Sequence, residues 1–218
     1  MPNPISGKPP KADVTAHISV WSDYVCPFCY LEEPVLLQIH KDFRGRIQIE
    51  WKAFELRPEP EPTLEPSGTY LTSVWNSVVY PMAQERGMKL QLPPIQPRSR
   101  LALEAAEFAR DHGRFDAMHK AIFRAFFEKG RDIGDVGVLC SLAKTVKLNA
   151  TELERALLFG SYRPKVLDDE AQAAELGINS VPAMLISGDE QPSETSELVV
   201  GAQPYDVLRA AIENVWTR

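Results

Sequence analysis

An α/β fold interrupted by a large helical insertion is what this 218-residue sequence predicts. Three observations carry the prediction. Near the N-terminus an apolar strand-like run, the motif Cys26-Pro27-Phe28-Cys29, a long helical pattern and a second strand follow one another. From Thr69 to Gly177 the apolar spacing is helical throughout, and beyond it two short strands precede a last amphipathic helix. The order is therefore β-α-β, a helical block of roughly half the chain, then β-β-α.

His17-Ile18-Ser19-Val20-Trp21 alternates well enough for the first strand, and Ser22 to Val25 form the loop into the first helix. Pro27 suits the first helical turn, where its missing N–H costs nothing, so Cys26 falls at the N-cap and Cys29 inside the first turn. The helix is expected to run to about Asp42. Pro34 removes one hydrogen bond and should bend rather than end it, because Val35, Leu36, Ile39 and Phe43 continue an apolar face. Ile47, Ile49, Trp51 and Ala53 alternate with polar residues and mark the second strand. A short strand-helix-strand unit favours a parallel pair with a right-handed crossover.

Pro58, Pro60, Pro62 and Pro66 make an extended segment that neither strand nor helix can use. Tyr70, Leu71, Val74, Trp75 and Val78 mark the next helical face, ended or kinked near Pro81. Further helices are predicted from Ser99 to His112, over Phe115 to Phe127 and closed by Gly130, and from Asp135 to Val146. Another starts at the cap residue Asn149, and a last one reaches Leu176 with Gly177 as its stop. Val181 to Ile186 reads as the third strand, which Pro182 can only open. Leu198-Val199-Val200 is the fourth, and a helix begins at Pro204 with Val207, Leu208, Ala211, Ile212 and Val215 on its buried side. The expected boundaries are a disordered leader at 1–16, a sheet domain made of 17–60 with 178–218, and the helical insertion at 61–177.

Composition narrows the function. A net charge of −6 and the lack of a basic block argue against a nucleic-acid partner. No apolar run is long enough for a membrane helix, and Met1 to Ala16 lack the apolar stretch of a signal peptide, so the expected location is cytoplasmic. Three cysteines, two of them in one motif, cannot build a secreted disulfide framework. A reducing compartment favours a catalytic or metal-binding pair.

The motif's position separates its two sulfurs. At the N-cap, Cys26 meets the positive end of the helix dipole and unpaired backbone N–H groups, which favour its thiolate. Cys29 faces inward and stays a thiol longer. Zinc would need four ligands, the only other cysteine is Cys140, and His112 and His119 are spaced too far apart for a usual zinc pair, so no metal site is expected.

With CPFC after the first strand and Val181-Pro182 at the third, the chain resembles the DsbA-like branch of the thioredoxin superfamily over nearly its whole length. The run from Ile18 to Tyr30, the segment Phe54-Glu55-Leu56-Arg57-Pro58 and Gly201-Ala202-Gln203-Pro204 are similar to its FrnE subgroup. The resemblance implies a thioredoxin-like fold with an inserted helical domain. It also implies a protein dithiol–disulfide oxidoreductase or isomerase, with Cys26 as the attacking sulfur and Cys29 as the resolving one. It implies a cis Pro182 as well, whose preceding residue Val181 would pair its backbone with a substrate strand beside the thiols. Phe28 is expected to line the substrate groove. It stands where the best-known periplasmic members carry a histidine that helps hold the thiolate, so a less oxidising couple is expected. No cofactor is implied beyond the Cys26–Cys29 disulfide itself, with glutathione as a candidate co-substrate; the partners implied are protein or peptide thiols and disulfides.

A second reading is a glutathione-dependent enzyme acting on small molecules, resembling the kappa-class transferases and hydroxychromene-carboxylate isomerases. Those usually carry serine at the Cys26 position, and having both cysteines weighs against them. A third is a binding module or holdase that has lost turnover. Cys140 lies on an apolar face and reads as a core residue, and the four histidines read as solvent or packing residues. Trp51, Trp75 and the phenylalanines from 115 to 127 read as core, with part of the helical block walling the groove. Asp23 and Glu55 are candidate proton acceptors for Cys29 but read more simply as loop and strand-end carboxylates.

Overall fold

The structure is a computed structural model that describes residues 16–43, 45–188 and 193–217. Among these described residues four strands form one sheet in the order β2-β1-β3-β4. β1 (Ala16–Ser22) and β2 (Ile47–Ala53) run parallel, joined by α1 (Pro27–Asp42), as the short β-α-β spacing predicts. β3 (Ala183–Ser187) is antiparallel to β1, and β4 (Glu197–Val200) is antiparallel to β3. Ala16, placed in the leader by sequence, is paired in β1 and fully buried; the rest of that expected leader lies outside the described residues.

Between β2 and β3 the chain is helical. α2 (Thr69–Val74) runs through a π-helical turn, Trp75–Val79, into α3 (Tyr80–Glu85). Of the two outcomes expected at Pro81, an end or a kink, the end does not occur: the wider turn just before it accommodates the donor that proline lacks, and the helix continues. α4 (Arg100–Asp111) and α5 (Phe115–Phe123) follow, α5 ending in a second π-helical turn, Arg124–Glu128. α6 (Val136–Thr145) is capped by Asp135, whose carboxylate accepts from the Val138 N–H at 2.8 Å. α7 (Ala150–Leu158) is capped by Asn149, which accepts from the N–H groups of Thr151 and Glu152. α8 (Arg163–Glu175) ends before Gly177, whose φ of 70° is the left-handed stop predicted for it. α9 (Tyr205–Thr217) closes the fold.

Two cores result, one on each side of the sheet. Ile18, Val20, Leu36, Ile39, Met184, Ile186, Leu208 and Ile212 pack α1 and α9 against one face. Trp21, Ala53, Ala183 and Leu185 turn the other face toward the helical block, where Phe123, Phe126 and Phe127 are wholly buried. Asp169 of α8 fastens that block to the sheet: its carboxylate accepts from the Ala53 N–H and its carbonyl from the Trp21 indole. One residue correction follows for the third strand. Val181 and Pro182 lie just before β3, in the loop that brings the chain back to the sheet, because proline has no N–H to give the ladder.

Candidate active site

Cys26 is the N-cap of α1 and Pro27 its first residue, with φ −89° and ψ 112° at the cap. No side chain caps this end and no acidic residue occupies the first turn, so the helix terminus is left to the Cys26 sulfur. Both thiols are free, and they sit differently. Cys26 is 3% exposed and lines a groove, whereas Cys29, one turn further on, is wholly buried. Burial, then the neighbouring Cys26 sulfur, pushes the Cys29 thiol well above its ordinary range. Cys29 thus holds its proton while Cys26 faces the groove.

The groove is a cavity of about 230 Å³ at the junction of the sheet domain and the helical block. Cys26, Pro27, Phe28 and Val181 line it together with Leu71, Val74 and Trp75 from the helical block. Phe28 and Val181, both expected beside the thiols, line this groove. Pro182 stands behind them, its bond to Val181 cis, and the Val181 carbonyl accepts from the Cys26 thiol at 3.5 Å. Trp75 is both core and groove wall; Trp51 and the phenylalanine cluster do not reach it.

Two candidate carboxylates part company. Glu55, read as a strand-end carboxylate, is held by Arg100 in an ion pair that the sequence did not show. Asp23 is wholly buried, and burial lifts its pKa from 3.8 to about 6, against the backbone N–H groups of Leu56 and Val25 that donate to it at 2.7 and 3.2 Å. Its main chain also supports the motif: the Asp23 carbonyl accepts from the Cys26 N–H at 3.2 Å.

That burial predicts a pH signature. The folded state binds the Asp23 proton more tightly than the unfolded chain, so the group's contribution to stability is complete below about pH 4 and is lost as pH rises through 6. Asp23→Asn removes this component. Between pH 4 and 8 the variant should gain about 2–3 kcal/mol on the native protein, read as the difference of their urea unfolding free energies. A difference that stays flat over that range contradicts the assignment.

Sequence reasoning missed the ties that hold this segment in place. His119 of α5, read as an ordinary histidine, is 3% exposed, with Nδ1 hydrogen-bonded to the Tyr24 hydroxyl at 2.8 Å and Nε2 3.1 Å from Glu33. It therefore touches the chain on both sides of the motif. Tyr30 of α1 donates to Glu128 at 2.7 Å, and Arg86 bonds Glu32 at 2.8 Å. Only His119 carried a local signal: it lies four residues from Phe115 and from Phe123, on the apolar face of α5.

A helix capped by a dithiol, built on the β-α-β unit and faced by the loop ahead of β3, defines the class as thioredoxin-like with an inserted helical domain. The family model for the DSBA-like thioredoxin domain matches residues 17–213, and the chain belongs to that family. It is 32% identical over 213 residues to the uncharacterized protein YwbO of Bacillus subtilis (strain 168), covering 92% of this chain and 98% of that one. A probable DsbA oxidoreductase of Streptomyces coelicolor, SCO1869, superposes with a TM-score of 0.74 at 25% identity, over 93% of this chain and 91% of the other. The cytosolic disulfide reductase DsbM of Pseudomonas aeruginosa, solved with GSH, gives 0.66 at 20% identity, over 90% and 97%. Among the described residues no helix is long and apolar enough to cross a membrane.

Proposed function

We propose that the protein is a FrnE-type dithiol–disulfide oxidoreductase of the cytoplasm that exchanges disulfides with peptide or protein thiols through Cys26 and Cys29. The observation that carries this reading is the placing of Cys26 at a bare helix terminus, on a groove and 3.5 Å from the Val181 carbonyl, with Cys29 buried behind it.

In the reducing direction the Cys26 thiolate attacks a substrate disulfide. The substrate S–S bond breaks, a mixed disulfide to Cys26 forms, and one substrate thiolate leaves. Cys29 then attacks the Cys26 sulfur; its proton goes to the second departing sulfur, and the Cys26–Cys29 disulfide remains. The substrate has gained the two electrons that the dithiol lost, and the same steps reversed oxidise a substrate dithiol. The Val181 backbone offers an extended substrate a strand to pair with, and Phe28, Leu71, Val74 and Trp75 receive its apolar side chains.

Glutathione is the proposed small-molecule partner, a reading supported by the similarity to a reductase solved with GSH. Equilibrating the protein in buffers of reduced and oxidised glutathione tests the proposal. A single two-electron transition between dithiol and disulfide, located to Cys26 and Cys29 by mass spectrometry, is expected. Tight glutathione binding that persists in Cys29→Ala, without such a transition, would move the function to the small-molecule transferase or isomerase class.

A further inference from the structure

We infer that Arg86 is a positioning residue: from the helical block it braces the loop after β4 against α1, and so fixes where the Val181–Pro182 loop stands over Cys26. The inference rests on the proposed redox function and names what holds its substrate-pairing strand.

The brace can be followed bond by bond. The Pro182 carbonyl accepts from the Gly201 N–H at 2.8 Å, so the loop that faces Cys26 is hung on the chain leaving β4. Gly201 turns that chain with a φ of 83°, a conformation that a side chain would oppose. Two residues on, the Gln203 N–H donates to Glu32 Oε2 at 3.0 Å, and the Gln203 side chain returns to the Val200 carbonyl at 2.8 Å. Arg86 closes the arrangement. Its Nη2 donates to the Gln203 carbonyl at 2.8 Å, while its Nη1 donates to Glu32 Oε2 at 2.8 Å and to the Leu31 carbonyl. One guanidinium thus joins α1, the end of α3 and the Gly201-Ala202-Gln203-Pro204 segment. Lysine could replace the charge but not the fork, since an ammonium is a point donor without that planar geometry.

Glu32 makes the site costly to leave unfilled. It is wholly buried, and among the described residues its Oε1 has no hydrogen-bond partner, while Arg86 is the cation paired with it. The brace does not touch either sulfur. Loosening it should therefore spread the positions of the Val181–Pro182 loop and weaken its contact with the Cys26 thiol, while Cys26 keeps its place at the helix terminus.

Arg86→Lys, which keeps a positive charge beside Glu32, is the main test. Reduction of a self-quenched fluorescent peptide disulfide, with dithiothreitol as the electron source, should show KM raised by about tenfold and kcat nearly unchanged. The rate at which iodoacetamide alkylates Cys26 should not fall below the native value. An unchanged KM overturns the inference, and so does a parallel fall in alkylation and turnover. The double variant Glu32→Gln with Arg86→Gln removes both buried charges and should keep the fold while still raising KM. Hydrogen exchange in the native protein gives a measurement that needs no variant: the Gly201 and Gln203 amides should be protected, and free exchange at both would overturn the brace. If Cys26→Ser retains turnover, the redox reading fails instead, while the exchange result still reports on the brace.

Discussion

Replacing Cys26 by serine should lower disulfide-reducing turnover by about 10³-fold or more, the scale on which loss of a covalent nucleophile is felt. Insulin reduction followed by turbidity reads it directly. Serine keeps the size of the side chain and its place at the N-cap, where it is a better capping residue than cysteine, so stability should hold or rise slightly. Loss of turnover with an unchanged unfolding midpoint is therefore the expected pair of results. Retained turnover would remove Cys26 from the chemistry. Cys140 does not offer a substitute: burial raises its pKa, and its thiol is engaged with the Ala150 carbonyl at 3.4 Å.

The second large effect is expected at Phe28. Strongly oxidising dithiols owe their potential to a stabilised reduced form, near −120 mV for the strongest and about −270 mV for the reducing end of the superfamily. Phe28 puts an apolar ring over the first turn, with no donor to offer the Cys26 sulfur, and no acidic or basic side chain occupies that turn. The native couple should lie well below about −120 mV. Phe28→His adds a donor and, when protonated, a charge beside the sulfur; it should raise the potential by about 30–60 mV, which is about ten- to a hundredfold in the glutathione equilibrium. A native couple already at the strongly oxidising end, or no response to histidine, contradicts the role given to this position.

The parts of the fold that were legible in the sequence are those with local causes. Alternation at Ile47, Ile49 and Trp51 marked β2, Pro27 marked the start of α1, and Asn149 and Gly177 marked helix ends, because propensity and capping act over one turn. Pro81 was read as an end or a kink, and the helix does not end there. Its local penalty is real, but a π-helical turn beside it is a solution that periodicity does not display. The two thiols were readable from their spacing, and the loop facing them only through the resemblance to the DsbA-like branch, since Val181 is 155 residues from Cys26.

The supports of the site were not readable. Tyr24 and His119 are 95 residues apart, and Arg86 is 54 from Glu32 and 117 from Gln203. Nothing near Arg86 sets it apart from any charged residue at a helix end. Asp23 looked like a loop carboxylate until Leu56, 33 residues on, closed over it. Such contacts belong to the packing of the helical block on the sheet, and they appear only when that packing is known.

The most direct measurement is the capture of the exchange intermediate. Cys29→Ala lacks the resolving thiol, so incubation with a peptide disulfide should leave one peptide bound per chain, and tryptic mass spectrometry should place it on Cys26. The native protein treated in the same way should release the peptide and close its own disulfide. No adduct on Cys26, or one on Cys140 in its place, would contradict thiol–disulfide exchange at the CPFC motif.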